Sequence, residues 1–305
     1  MYRSILVPLD GSTFGEHALP LALSIARRSG AAVRLAHVHV ANQLVYAIGM
    51  PVGDDALDTP SRESECAYLD GLAQHLSATW GVEVTTDLLD GMPADTLRRC
   101  AIETAADLVV MSTHGRGPVS RFWLGSVADT LVRQLPIPVL LARPHQESLD
   151  LLDLQGEPIL QRVLIPLDGS PLAEDALEYA VGLGETMGAQ YTLLQAIDPI
   201  VMDYAPVARS AGLDEQLVEE WRAEAQTYLD QVAARLRERS LQVQTSIAVA
   251  APALAILDYA RHHGTELIAM ATHGRSGVSR LLLGSVADKV VRGACAPVLL
   301  HRASA

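Results

Sequence analysis

Short apolar runs alternate with amphipathic stretches along the whole 305-residue chain. ILVPL at 5–9 ends at Asp10, Gly11 and Ser12, and in the following stretch 16–29 Leu19, Ala22, Leu23 and Ala26 recur at helical spacing. AAVRLAHVHV at 31–40 reads as a strand, two-periodic in part. Residues 61–79 read as a helix, VEVTTDLL at 82–89 as a strand, and 93–105 as a helix with Pro93 in its first turn. LVVMS at 108–112 and PVLLAR at 138–143 are continuous apolar strands. Strands alternating with helices, several of them apolar on both faces, predict a parallel sheet covered by helices on each side.

The same series returns in the second half: ALEYAVGLGETM, YTLLQAID, a long helix near 213–239, LQVQTSIAV, PALAILDYARHH, LIAMA and PVLLHR. Three blocks match closely. ILVPLDGS at 5–12 answers VLIPLDGS at 163–170, and THGRGPVSRFWLGSVAD at 113–129 answers THGRSGVSRLLLGSVAD at 272–288, as PVLLAR answers PVLLHR at 297–302. The offset is 158 residues for the first block and 159 for the others, so a whole domain is duplicated rather than a short solenoid unit. The expected domains are 1–146 and 159–305, joined by an acidic linker at 147–158 that contains no basic residue. Its Leu149, Leu151, Leu152 and Leu154 are expected to pack on a domain surface. Segments 41–60 and 199–212, rich in Pro, Gly, Asp or Ala, read as flaps over a site.

Charge narrows the partners. A net of −13, with 36 acidic residues against 23 basic ones and neither half basic, sets a repulsive average field for nucleic acid, and no Lys/Arg stripe offsets it. No apolar run is long enough to span a membrane and no secretory signal is visible, so a cytoplasmic protein is expected. Cys66, Cys100 and Cys295 form no CxxC pattern and read as packed thiols.

Two loops could carry chemistry. Asp10 and Asp168 follow the first strand of each half, at the mouth of the crevice where open α/β sheets bind ligands; there a carboxylate accepts a ribose hydroxyl or helps hold a base. Asp10 or Ser12 acting as a simple helix cap is the competing reading. The second loop begins at Ser112 or Ala271, runs through Gly115 or Gly274, and ends at Gly125–Ser126 or Gly284–Ser285, from the end of a strand to the start of a helix. Glycines permit close backbone approach to a phosphate and supply φ > 0, and Ser126 and Ser285 can cap the helix with its N–H groups aimed at an anion. The competing reading is an ordinary connecting loop. Of the 23 basic residues only Lys289 is lysine and no GK[ST] ending occurs, so a phosphate would be held by amides and hydroxyls with Arg116 or Arg275 nearby. Binding is expected to outrun turnover. His114 and His273 are expected to hydrogen-bond within the loop, and no residue spacing suggests a metal site or a catalytic nucleophile.

Together the two loops resemble the universal stress protein family, in two tandem copies covering nearly the whole chain. The resemblance implies two doubly wound α/β domains, each a five-stranded parallel sheet in order 3-2-1-4-5, with ATP, alone or with Mg²⁺, in the nucleotide-binding branch. Its phosphate motif maps Gly115, Gly125 and Ser126, with Val127, onto the first half and Gly274, Gly284 and Ser285, with Val286, onto the second. The first motif glycine is replaced by Ser112 and Ala271; a required positive φ there would cost about 1 kcal/mol or more. By the same resemblance Pro8, Asp10 and Val38 frame adenine and ribose in one copy, and Pro166, Asp168 and Ala196 in the other. It also implies a homodimer with intrachain domain pairing, unknown protein partners, and a role in stress response through ligand-dependent conformation or assembly. A slow ATPase or nucleotide-dependent transferase, and an interaction module that binds no nucleotide, are the alternatives.

Overall fold

The computed structural model describes residues 2–40, 55–113, 124–143, 157–198, 214–273 and 283–302. The chain divides into two compact units, residues 1–158 and 159–305. The first unit runs β1 (Ser4–Leu9), α1 (Thr13–Glu16), α2 (Leu19–Ser29), β2 (Ala32–His39), α3 (Asp55–Trp80), β3 (Val84–Asp90), α4 (Pro93–Glu103), β4 (Leu108–Ser112), α5 (Ser126–Gln134) and β5 (Val139–Ala142). The second runs β6 (Arg162–Pro166), α6 (Pro171–Met187), β7 (Gln190–Ile197), α7 (Asp214–Arg237), β8 (Gln242–Val249), α8 (Pro252–His262), β9 (Leu267–Ala271), α9 (Ser285–Gly293) and β10 (Val298–His301).

Within the first unit the strands lie in order β3-β2-β1-β4-β5, all pairs parallel, and within the second in the matching order β8-β7-β6-β9-β10. The central strands are apolar on both faces because helices cover both. Ile5, Leu6 and Val7 of β1 and Leu108, Val109 and Val110 of β4 are fully buried, as are Leu193 of β7 and Leu267, Ile268 and Ala269 of β9. Parallel crossovers of one hand place the helices after β1 and β2 on one face and those after β3 and β4 on the other.

The helix expected over 16–29 is two pieces in the first unit, α1 and α2, whereas the second unit builds one helix of 17 residues, α6. The cause is Pro20, which has no N–H to offer the carbonyl of Glu16; the second copy has Glu178 at the equivalent place. Helix α3 begins at Asp55, so the last residues of the expected 41–60 flap are helical; residues 41–54 and 199–212 lie outside the described residues. So do the four leucines of the acidic stretch. Its last acid, Glu157, is described: it pairs with Arg27 and Arg28 and accepts a hydrogen bond from the buried Ser24 hydroxyl at 3.0 Å, fastening the stretch to α2. Of the three cysteines only Cys100 is packed; Cys66 and Cys295 are exposed, a correction to the reading of all three as buried thiols. Cys66 lies on the exposed side of α3, and Cys295 turns outward between the buried Ala294 and Ala296.

Candidate nucleotide crevice

The crevice arises from where the strand ladders stop. Between β1 and β4 the register holds only Ile5 with Leu108 and Leu6 with Val109, while β1 stays paired with β2 as far as Leu9 with His37 and β4 with β5 as far as Ser112 with Ala142. The second unit repeats this: β6 and β9 share only Val163 with Leu267 and Leu164 with Ile268. Pro8 and Pro166 stand two residues beyond the last shared pair, where a residue without an N–H costs no ladder bond. The carboxyl ends of the two central strands therefore part at the point where their connections leave in opposite directions, the topological switch point of such a sheet.

One wall is the turn after β1. Gly11 and Gly169 have φ of +72° and +79°, a conformation that strains other residues, and this is where the repeated DGS needs its glycine. Ser12 Oγ accepts from the Gly15 amide at 3.2 Å and caps α1; Ser170 Oγ accepts from Ala173 at the same distance and caps α6. Asp10 Oδ1 in turn accepts from the Ser12 amide at 3.0 Å and its hydroxyl at 2.6 Å, and Asp168 repeats both distances on Ser170. The serine is thus the cap, and the aspartate one step upstream fixes that serine. Asp10 and Asp168 are half-buried at the strand ends.

The opposite wall is the junction from β4 to α5 and from β9 to α9. Ser112 and Ala271 are the final residues of β4 and β9, each 6% exposed, and neither is among the described non-glycine residues of positive φ, Ala105 and Ser240. The strain anticipated from replacing the first motif glycine is therefore absent at both positions, because each lies in strand backbone. The Gly125 amide donates to the Thr113 carbonyl at 3.0 Å and the Gly284 amide to Thr272 at 2.9 Å. Both glycines have ordinary negative φ, −58° and −57°, so their smallness serves close approach: a Cβ would lie 3.4 Å from Thr113 O in one copy and 2.7 Å from Thr272 O in the other. They are also the helix N-caps. Ser126 and Ser285 are the first helical residues, exposed and one position too late to cap, which corrects the expectation that they do. A glycine cap supplies no side-chain acceptor for the first-turn N–H groups, a geometry that suits an external anion. Val127 and Val286 follow in the same turn.

Asp129 and Asp288, the acids of the repeated GSVAD, accept from Arg133 and Arg292 on their own helices. His273 Nδ1 lies 3.0 Å from Thr272 Oγ1, the local hydrogen bond expected of it. Val38 is buried on β2 and Ala196 partly exposed at the matching place on β7. His114, Gly115, Arg116, Gly274 and Arg275 lie outside the described residues. Among the described residues no cluster of three or more His, Cys, Asp or Glu could hold a metal ion, and no helix is long and apolar enough to cross a membrane.

By sequence His37 and His39 are strand residues to which no function is assigned. His37 and His39, 6% and 4% exposed, converge on Glu65 of α3 beside the Asp10 turn. The only available signal was an HxH on one side of a strand, which by itself names no partner.

A duplicated doubly wound α/β domain with a crevice between its two central strands defines the class. The Universal stress protein family matches residues 1–143 and again 160–302, and the chain belongs to that family. A universal stress protein of Mycobacterium tuberculosis is 30% identical over 223 residues, covering 73% of this chain and 70% of that protein. One from Mycolicibacterium smegmatis is 27% identical over 98% of this chain and 96% of its own length. Among solved structures, a universal stress protein from Archaeoglobus fulgidus superposes with a TM-score of 0.69 at 19% identity, covering 98% of both chains, and speaks for the fold alone.

Proposed function

We propose that this protein binds adenine nucleotide, ATP foremost, in one crevice per copy, and acts in stress response by ligand-dependent changes of conformation or assembly. The observation that carries the reading is the parting of β1 from β4, and of β6 from β9, between an aspartate-held turn and a glycine-capped helix, in both copies. The turn offers a carboxylate at the height of a ribose. The glycine cap offers first-turn amides to a phosphate, where the helix dipole favours negative charge. Pro8, Asp10, Val38, Ser112, Gly125, Ser126 and Val127 form the first site, with Gly115 and Arg116 added from the loop. Pro166, Asp168, Ala196, Ala271, Gly284, Ser285 and Val286 form the second, with Gly274 and Arg275.

Binding without fast turnover fits the residues better than phosphoryl transfer. The single lysine, Lys289, is exposed on α9, and the acids nearest the glycine caps are engaged by arginines of their own helices. A homodimer in the cytoplasm belongs to the same proposal.

Calorimetric titration of the full chain with ATP, ADP and AMP in the presence of Mg²⁺ tests it. Heat from ATP is expected, with Asp10→Ala and Asp168→Ala each removing one component. No heat from any nucleotide at millimolar concentration overturns it.

A further inference from the structure

We propose that His37, Glu65 and His39 form a proton-dependent anchor that positions the Asp10 turn of the first crevice, so that the two copies bind nucleotide with different pH dependence. This rests on the nucleotide reading above.

His37 and His39 are two residues apart on β2 and so project from one face of the sheet, the face covered by α3. The His37 Nδ1 lies 2.8 Å from the carbonyl oxygen of Leu9, the residue before Asp10. A carbonyl only accepts, so this nitrogen carries the proton. His39 Nδ1 lies 2.7 Å from Glu65 Oε2, where an ionised carboxylate likewise requires a donor. The remaining carboxylate oxygen, Oε1, stands 3.6 Å from His37 Nε2. With the first two protons so assigned, a neutral His37 points a lone pair at a carboxylate oxygen, and two acceptors face each other. One further proton on Nε2 turns that opposition into a charge-assisted contact. The helix is then tied through His37 to the end of β1, next to the crevice.

The surrounding charges are mixed. Asp90 is the register neighbour of His39 on β3. It is ion-paired with Arg62 of α3, whose hydrogen bond is the main cause holding its carboxyl below the usual range, against burial and with a smaller contribution from His39. Toward the turn stand Asp10 and, on α1, Glu16, which accepts from Tyr68 of α3 at 2.6 Å. Around the two imidazoles the acids Glu65, Asp90, Asp10 and Glu16 outnumber the one arginine.

The second copy exchanges all three members together. The sheet registers align His37 with Gln195 and His39 with Ile197. Tyr228 donates to Glu174 at 3.1 Å as Tyr68 does to Glu16, which aligns Glu65 with the buried Ala225. Gln195 keeps a polar atom, its Oε1, buried with no hydrogen-bond partner among the described residues. The first copy thus has His, His and Glu where the second has Gln, Ile and Ala, so the anchor is confined to the first crevice.

The test compares the full chain with His37→Gln, which installs the second copy's residue, and with Glu65→Gln. Mg²⁺-ATP is titrated at pH 6 and pH 8 in two buffers of different ionisation enthalpy. Ionisation of the nucleotide is common to every variant and cancels in the difference. The unaltered chain is expected to gain about tenfold in affinity at one site from pH 8 to pH 6 relative to both variants, with net proton uptake on binding. The same pH dependence in all three chains overturns the proposal. If no chain binds nucleotide, the function proposed above fails instead, and the anchor is read on the free protein by ¹⁵N NMR of the imidazoles. There the Nδ1–H tautomer of His37 at pH 8 and a response of its Nε2 to Glu65→Gln are expected; an Nε2–H tautomer or no response overturns the anchor.

Discussion

At the residue scale the two kinds of glycine in the crevice do different work. Gly11 and Gly169 are needed for their backbone angles, Gly125 and Gly284 for their lack of bulk. The two junction glycines also differ in tolerance. An added methyl at Gly284 would press on a backbone carbonyl at 2.7 Å, whereas at Gly125 it would meet ordinary contact at 3.4 Å. Gly284→Ala is therefore expected to cost about 1–3 kcal/mol and Gly125→Ala much less, read by urea denaturation of each variant. A second asymmetry is His301, which pairs with Ala271 where the first copy pairs Ala142 with Ser112. Its ring lies against that of Tyr179, tilted by 30° with centroids 3.9 Å apart, and its Nδ1 is buried with no hydrogen-bond partner among the described residues. Burial holds this imidazole below its ordinary 6.5, with the Asp175 charge opposing. The unfolded chain then binds the proton first, so the stability contributed is complete above about pH 6.5 and is lost as pH falls below it. The His301→Ala variant is expected to unfold with a flatter pH dependence between pH 7 and pH 5 than the unaltered chain, measured by thermal melts.

At the scale of elements, the same DGS turn starts a broken helix in one copy and a continuous one in the other. Ser170 caps 17 residues of α6, so Ser170→Ala is expected to cost about 1 kcal/mol in chemical denaturation. Ser12 caps only the four residues of α1, and Ser12→Ala is expected to cost less. Nucleotide affinity separates the two readings of the turn. If the aspartates serve only to hold the serine caps, Asp168→Ala and Ser170→Ala lose affinity equally; a ligand-facing carboxylate makes the aspartate change the larger.

At the scale of the molecule, a net charge of −13 and a small anionic ligand are compatible. A long polyanion meets the average field, whereas the nucleotide proposed here would meet chiefly the groups of its own crevice, the first-turn amides and helix end at its phosphates and the aspartate carboxylate at its ribose. Each unit that binds ATP is expected to gain about 2.7 kcal/mol of stability at a hundredfold excess over Kd, seen as a shifted melt that Asp10→Ala removes from the first unit alone. Much of the architecture could be read in advance. Runs such as LVVMS became β4 residue for residue, because an apolar run bounded by turn signals has few alternatives. Pro20 was equally visible, yet its effect on the helix depended on which carbonyl it failed to meet.

The sequence alone determined the duplication, the alternation of strands and helices, and the two loops with chemical potential, since these follow from periodicity and from identical blocks at a constant offset. Tertiary structure decided the rest. Whether Ser112 and Ala271 were strained depended on their backbone, which strand pairing made extended. Whether Ser126 capped its helix depended on where the first turn began. That His37, His39 and Glu65 form a group depended on a helix laid across a strand, bringing together side chains 26 and 28 residues apart that no local pattern connects.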